Sequence, residues 1–286
     1  MTHRLWVPGV VAACLACAGC MSWDGGWTMK AGKPPKDADV AALVAKAEGL
    51  AAQSHTAAGL RADIAAWETV LAADPGNDRA LLRLASNYTL RGAAHAESVG
   101  QAGEYWRKAL QYAERAMANE PGFRKAVDGG AQTWDAVSAL GADRIEAMVL
   151  WLDAARLYFQ FGQSGVVRMT NPKWPERMAK VVDRVEALAP GKPTVSVGRG
   201  YVAMARSNGK DVAGAQVHFD RAVELAPDCI KPRWIRAKFL NVPADRTDAA
   251  IADLDWILAQ DPAGKGRPEW NAYFQADARR MRDAIR

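Results

Sequence analysis

Residues 213–227 read Ala-Gly-Ala-Gln-Val-His-Phe-Asp-Arg-Ala-Val-Glu-Leu-Ala-Pro. Ala215, Phe219, Ala222 and Val223 recur at helical spacing, which gathers small and large apolar side chains on one face. Pro227 lacks the N–H that a further turn would need, so the helix stops there. The pattern predicts the second helix of a helical hairpin. The same punctuation returns at Asp74-Pro75, Glu120-Pro121, Ala189-Pro190 and Asp261-Pro262, each after an apolar helical pattern.

From Pro190 to Pro227 is 37 residues and from Pro227 to Pro262 is 35. Both lie near the ~34-residue period of tetratricopeptide (TPR) repeats. The longer intervals read as the same unit with insertions. The expected fold is all-α, a TPR-like superhelical array of helical hairpins with irregular insertions.

The chain has 286 residues, half of them hydrophobic, enough for a substantial core. Its formal net charge of +5 would raise the question of nucleic acid in a cytosolic protein, but the N-terminus points elsewhere. Arg4 is followed by an apolar run over residues 5–18 and by Cys17-Ala18-Gly19-Cys20. A positive end, a short apolar stretch and small residues before a cysteine form an export signal. They resemble a bacterial lipoprotein signal, in which Cys20 would be acylated and become the mature N-terminus. A second frame, cutting before Cys17, fits less well, and an ordinary secretory signal is the remaining reading. With Met21 rather than Asp after Cys20, the lipoprotein reading places the protein on the periplasmic face of the outer membrane. Cleavage there leaves Cys229 as the one other cysteine, so no internal disulfide framework is expected. The domain expectation is residues 1–19 as signal peptide, 20–36 as a flexible tether rich in Gly and Pro, and 37–286 as one helical domain.

Along the domain, residues 37–53 and 60–73 predict a first hairpin, and 80–91 with 105–118 a second. Between them Gly92, Gly100 and Gly103 stud residues 91–104, which read as an insertion of about a dozen residues. Short connecting helices are expected at 123–127 and 134–140. Helix 143–161 is apolar almost all round, which marks a helix buried between neighbours. From Met148 onward, Asp153, Arg156 and Gln160 break its apolar run at spacings of three and four, so they share one line. Two readings stand: an ion pair on a surface stripe, or a stripe facing an internal groove. A polar loop over 162–175, a helix at 176–188, and hairpins 194–206/213–226 and 230–241/249–259 follow. Gly198 and Gly200 inside a helix predict close approach by another backbone or a bound molecule. Residues 268–285, with Asp277, Arg279, Arg280, Arg282 and Asp283, read as a terminal helix with the polar outer face of a cap.

No Gly-rich phosphate loop, His-Glu-x-x-His, Cys-x-x-Cys or Gly-x-Ser-x-Gly occurs. The sequence therefore predicts neither an enzyme nor a metal site or cofactor. His95 and Glu97, two apart, do not share a helix face. The first helices of the hairpins carry many cations, Arg83, Arg199, Arg206 and Arg236 among them. They predict a positively biased concave face for an acidic partner or a carboxylate-bearing ligand.

Several segments together resemble a family: Cys20, residues 74–89 (Asp-Pro-Gly-Asn-Asp-Arg-Ala-Leu-Leu-Arg-Leu-Ala-Ser-Asn-Tyr-Thr), Glu120-Pro121-Gly122-Phe123, Leu150-Trp-Leu-Asp-Ala-Ala155 and His218-Phe-Asp-Arg-Ala-Val-Glu-Leu225. In this order they look like the T-component of tripartite ATP-independent periplasmic (TRAP) transporters. The resemblance implies a non-catalytic periplasmic TPR lipoprotein, held at the membrane by its lipid. Its implied partner is the transporter's periplasmic solute-binding protein, the P-component. It could pass that partner a small organic or hydrophobic ligand through a central pore. Asn87 and Tyr88 match one family segment and Trp151, Ala154 and Ala155 the other. With Asp153, Arg156 and Gln160 they form the expected ligand or pore lining. Where the family has a further aromatic, this chain has Leu90, Ala93 and Ala94. Partner contacts are expected at Arg83, Arg199, Arg206 and Arg236, and a second copy of the chain is a further candidate partner. The alternative is a TPR scaffold lipoprotein of outer-membrane or envelope assembly machinery.

Overall fold

The computed structural model describes residues 25–30, 32–33, 38–162 and 173–285. Cys20, Trp23 and most of the polar loop after Gly162 lie outside them.

The apolar stripes become helices whose starts are set by the side chains before them. Helix α1 (Val40–Leu50) begins after Asp39, which accepts the Ala42 N–H. Thr56 caps α2 (Ala57–Ala73), Asn77 caps α3 (Asp78–Ala94) and Ser98 caps α4 (Val99–Met117). In each case an otherwise unpaired first-turn donor is satisfied. Proline sits in the first turn of α5 (Pro121–Asp128), α8 (Trp174–Leu188) and α9 (Pro193–Arg206), where no N–H is missed. Short α6 (Thr133–Ala136) leads to α7 (Ile145–Phe161). Asp211 caps α10 (Val212–Leu225), the helix that contains most of residues 213–227. Helix α11 (Ile230–Arg236) runs into a wider turn at Ala237–Asn241, and α12 (Thr247–Leu258) and α13 (Pro268–Ile285) complete the chain.

Successive helices pack as pairs, α1 with α2, α3 with α4, α9 with α10 and α11 with α12, and each pair leans on the next. Helix α7 lies against α3, α4 and α8. The all-α hairpin array is as the sequence predicts, and among the described residues it contains no strand. Trp67, Trp151, Trp234, Phe123 and Phe219 are fully buried along one continuous core. Each such side chain contributes roughly 1.5–3 kcal/mol through lost water contact.

Three expectations change. Residues 91–104 are not a loop insertion, because α3 runs on to Ala94 and α4 starts at Val99. Gly92 and Gly103 are packing positions inside helices, while Gly100 lies exposed in the first turn of α4. A Cβ at Gly92 would come within 2.5 Å of the Trp106 indole nitrogen, and one at Gly103 would overlap the Gly162 carbonyl. At Gly198 and Gly200 the approach is made by a side chain rather than by a backbone or a bound molecule, Val182 at the first and the Phe219 ring at the second. The third change concerns the end of the array. Helix α13 keeps Arg279, Arg280 and Asp283 exposed, but its inner face is buried and its start touches α3. The polar outer face is as predicted at those three residues; what changes is that Asp277 is buried and that the start of α13 returns to α3.

The segment before α1 is docked along part of its length. Gly25 and Gly26 are buried, and the Gly26 N–H donates to Glu114 Oε2 at 2.8 Å. Glu114 is itself fully buried on α4, where it also accepts from Thr133 Oγ1 (2.7 Å) and Trp151 Nε1 (3.1 Å). Trp27 meets Phe123 edge-on with ring centres 6.4 Å apart. A Cβ at Gly26 would overlap the Gln111 carbonyl, so the slot requires glycine. Gly26→Ala is therefore expected to lift residues 25–29 from α4 at a cost of roughly 1–3 kcal/mol. Hydrogen exchange of those amides and denaturant unfolding measure it, and unchanged protection at Trp27 and Thr28 would contradict the slot.

Candidate functional site

Where α13 returns to α3 the array bounds a half-open chamber of about 340 Å³. One wall is a face of α7. Glu146, Val149, Leu150, Asp153 and Leu157 fall at spacings of three and four, with Arg156 beside them, so one helical stripe lines the cavity over three turns. Ser86 and Thr89 of α3 stand next to it. Opposite are Cys229, Ile230, Lys231, Pro232 and Trp234 at the start of α11. Trp270, Asn271 and Phe274 of α13, with the turn at 265–267, close the remaining side.

The closing turn is built from local chemistry. Gly266 adopts φ +109°, a conformation that L side chains rarely adopt. The Asn271 amide donates to the Pro262 and Lys265 carbonyls, both at 3.1 Å, which folds the turn back over α13. Arg267 then projects onto α3, where Nη1 donates to Ser86 Oγ at 2.7 Å. The Trp270 indole donates to the same hydroxyl at 3.1 Å. Arg267 also lies 3.3 Å from Glu146. Burial, helped by the positive charge of Arg83, pushes the Arg267 guanidinium below its ordinary value.

Beside Arg267, Arg83 of α3 links two distant parts of the chain. It lies 3.3 Å from Asp63 on α2 and 3.7 Å from Glu269 on α13. On the α11 side, Trp234 packs against Phe274 with ring centres 4.7 Å apart and donates its indole N–H to Asp277 Oδ2 at 2.8 Å.

The charged groups of the wall are unevenly paired. Lys231 binds one oxygen of Asp153, and Arg156 Nη2 lies 3.7 Å from the other. Arg156 is 4% exposed, its guanidinium lies over the Phe239 ring at 4.9 Å, and its Nε is buried without an acceptor. Burial holds its pKa below the ordinary arginine value, against the pull of Asp153.

The sequence-predicted site residues divide. Asp153 and Arg156 line the chamber, on an internal stripe rather than a surface one. Gln160 lies one turn further on, outside the lining. Asn87 and Tyr88 face the hairpin interior. Asn87 donates to Asp63 at 2.9 Å, and the Tyr88 hydroxyl donates to Glu68 at 2.7 Å. Burial and the Glu68 carboxylate push the Tyr88 phenol far above its ordinary value. Their helix neighbours Ser86 and Thr89 reach the chamber instead. Trp151, Ala154 and Ala155 are packed in the core, with Trp151 bound to Glu114.

The cations expected to bind a partner are engaged within the array. Arg199 pairs with Asp183 and Glu186, Arg206 with Glu176, and Arg236 with Asp220 and Asp253. A positively biased face built on them is therefore largely neutralised by acids from adjacent helices. Arg267, Trp270, Asn271 and Phe274 escaped the sequence reading. Their signal was present in the aromatic spacing of Trp270, Tyr273 and Phe274, an apolar stripe on a helix otherwise rich in arginine.

No family model and no curated protein matches the chain. Among the described residues there is no group of three potential metal ligands, and no helix is long and apolar enough to cross a membrane.

Asp277 fixes the Trp234 wall and gives a pH test. Burial would raise its carboxyl, but Lys238 at 2.8 Å, the Trp234 N–H and Arg280 hold it below the usual range. A depressed folded value means that its stabilisation is present above the unfolded carboxylate value of ~3.9 and is lost as pH falls through the folded one. Asp277→Asn is expected to lower stability at pH 7 by roughly 1–3 kcal/mol and to flatten the acid limb of the Tm profile. An unchanged acid limb would contradict the assignment.

Proposed function

We propose that this protein is a non-catalytic carrier whose central chamber holds a small organic ligand, acting as the lipid-anchored accessory of a tripartite ATP-independent periplasmic transporter. The observation that carries the reading is the chamber at the closure of the array. A scaffold needs an outer or concave surface for its partners, whereas here the last helix folds back to bound a half-open cavity of about 340 Å³. That volume falls in the range of ~300–1,000 Å³ that small-molecule sites occupy. Its walls follow the usual composition of such sites, with aromatic and aliphatic side chains around a few convergent polar groups. Fold alone does not choose a function, so the weight rests on this site.

The resemblance to the transporter T-component supplies the biological setting. It implies attachment through Cys20 and docking with the periplasmic solute-binding protein. A helical-hairpin array presents an extended outer surface for such a partner, and the ligand would pass between the two proteins. In this reading the ion pairs of Arg199, Arg206 and Arg236 hold adjacent helices in register, and partner contact falls on the remaining surface.

The protein without its lipid, used as bait in periplasmic extract, is expected to retain a solute-binding protein and a small organic molecule, both identified by mass spectrometry. Leu150→Trp, which fills the chamber, is expected to remove the small molecule while leaving the helical circular dichroism unchanged. Recovery of outer-membrane assembly factors with no solute-binding protein and no small molecule would replace this reading with the scaffold.

A further inference from the structure

Arg199, Arg206 and Arg236 are neutralised within the array, but a second set of cations is not. It lies where α2 and α4 flank α3: Arg61 on α2, Arg91 on α3, and Lys108 and Arg115 on α4. Resting on the carrier reading for the identity of the partner, we infer that this strip is the surface on which the partner protein docks, and that it takes an acidic segment of that partner.

The strip can be traced contact by contact. Arg61 and Arg91 both act on the His95 ring at the end of α3, where burial and these two charges hold the imidazole below its ordinary value. The Arg91 guanidinium lies over the Tyr105 ring at 4.4 Å, and Tyr105 stands 6.1 Å from Tyr88. Lys108 lies over the Tyr88 ring at 5.1 Å, and Tyr112 stacks on the same ring with centres 5.6 Å apart. Arg115 follows on α4 and donates to the Pro75 carbonyl at 2.8 Å.

Charge in the strip is one-sided. Its carboxylate, Glu68, accepts from the Tyr88 hydroxyl at 2.7 Å and the Tyr112 hydroxyl at 3.4 Å. Among the described residues no acid comes within ion-pair distance of Arg61, Arg91, Lys108 or Arg115. Arg124 and Arg221, by contrast, meet Asp128 and Glu224 on their own helices. A ring face attracts a cation without cancelling its charge, and the Pro75 carbonyl supplies only a dipole. Like charges held along one face repel, and a row of carboxylates laid against them removes that repulsion and steers the encounter.

The same geometry favours a protein over an anionic bilayer. Tyr88 and Tyr112 are buried and Tyr105 is half-buried, so a flat membrane would meet the cations alone. A protruding chain segment also reaches the Tyr105 ring, placing its apolar stems there and its carboxylates on the cations. From Tyr105 to Arg115 the helix rises ~15 Å, which about five extended residues span.

Fluorescence anisotropy of labelled hexaglutamate with the full chain, free of lipid, tests the surface directly. Binding is expected to weaken as ionic strength rises through ~0.1 M, where the Debye length is ~10 Å. Arg61→Glu combined with Lys108→Glu, both at exposed positions, is expected to weaken it by roughly tenfold or more. Lys192→Glu combined with Lys210→Glu, exposed at either end of α9, changes the net charge equally and is expected to shift it by less than about twofold. Equal loss from both pairs would make the effect one of net charge and overturn the surface. Tighter binding of phosphatidylglycerol vesicles than of the peptide, abolished by the first pair, would overturn it in favour of a bilayer. In the bait experiment the first pair is expected to lose the solute-binding protein that the wild type retains. Retention by both would overturn the strip while the carrier reading stands. Peptide binding through the strip with no solute-binding protein retained would keep the acidic docking surface and remove the carrier's partner. Should the first pair fail to show native circular dichroism, Arg61→Gln with Lys108→Gln is read in its place, with a smaller loss expected.

Discussion

The architecture depends on one closure, the meeting of the start of α13 with α3. A hairpin array has no inherent reason to enclose space, since each unit contacts only its neighbours and the stack can continue in either direction. Here the Ser86 hydroxyl accepts from both Arg267 and Trp270, across sequence separations of 181 and 184 residues. Arg83 reinforces the junction by touching Asp63 on one side and Glu269 on the other. These contacts build one side of the half-open chamber. They are polar and partly buried, so they specify the position of α13 more than they drive it there. The driving force is the apolar burial of Trp234, Tyr273 and Phe274 behind them.

The closure places unusual demands on charge. Arg83 and Arg267 are brought close enough for their like charges to interact; Arg83 is tied to Asp63 and Glu269 on two helices, and Arg267 to Glu146 on a third. Such an arrangement is sensitive to geometry, because loss of one partner leaves a buried charge unmatched. That sensitivity gives the junction its specificity: sliding α13 by one turn would separate Arg267 from Ser86 and Glu269 from Arg83 together. The Asn271 amide, bound to two carbonyls of the closing turn, fixes the register before α13 leaves it.

How much of this could be read from the chain alone follows the range of the interactions. Helix α13 starts at Pro268 and ends at Ile285 as the sequence predicts, because proline placement and apolar period are local signals. The stretch at 91–104 was misread for a physical reason. Gly92, Gly100 and Gly103 lower local helix propensity, and the packing of Gly92 on Trp106 and of Gly103 on Gly162 overrides it. The polar line of α7 was visible, but its two readings could be separated only by knowing what lies opposite. The same holds for Asn87 and Tyr88. Their place on α3 was legible, while the one-residue offset that sends Ser86 and Thr89 to the chamber depends on how α3 rolls against α2 and α4. Ser86 stood in the family-like segment without a role of its own, since a serine inside a helix ordinarily bonds its own backbone or water.

Helix α7 joins the two ends of the protein through opposite faces. One face lines the chamber with Asp153 and Arg156, and the other places Trp151 on Glu114, the carboxylate that also receives the Gly26 backbone. The segment nearest Cys20 and the chamber wall therefore share a helix of apolar character with little freedom to move on one face alone.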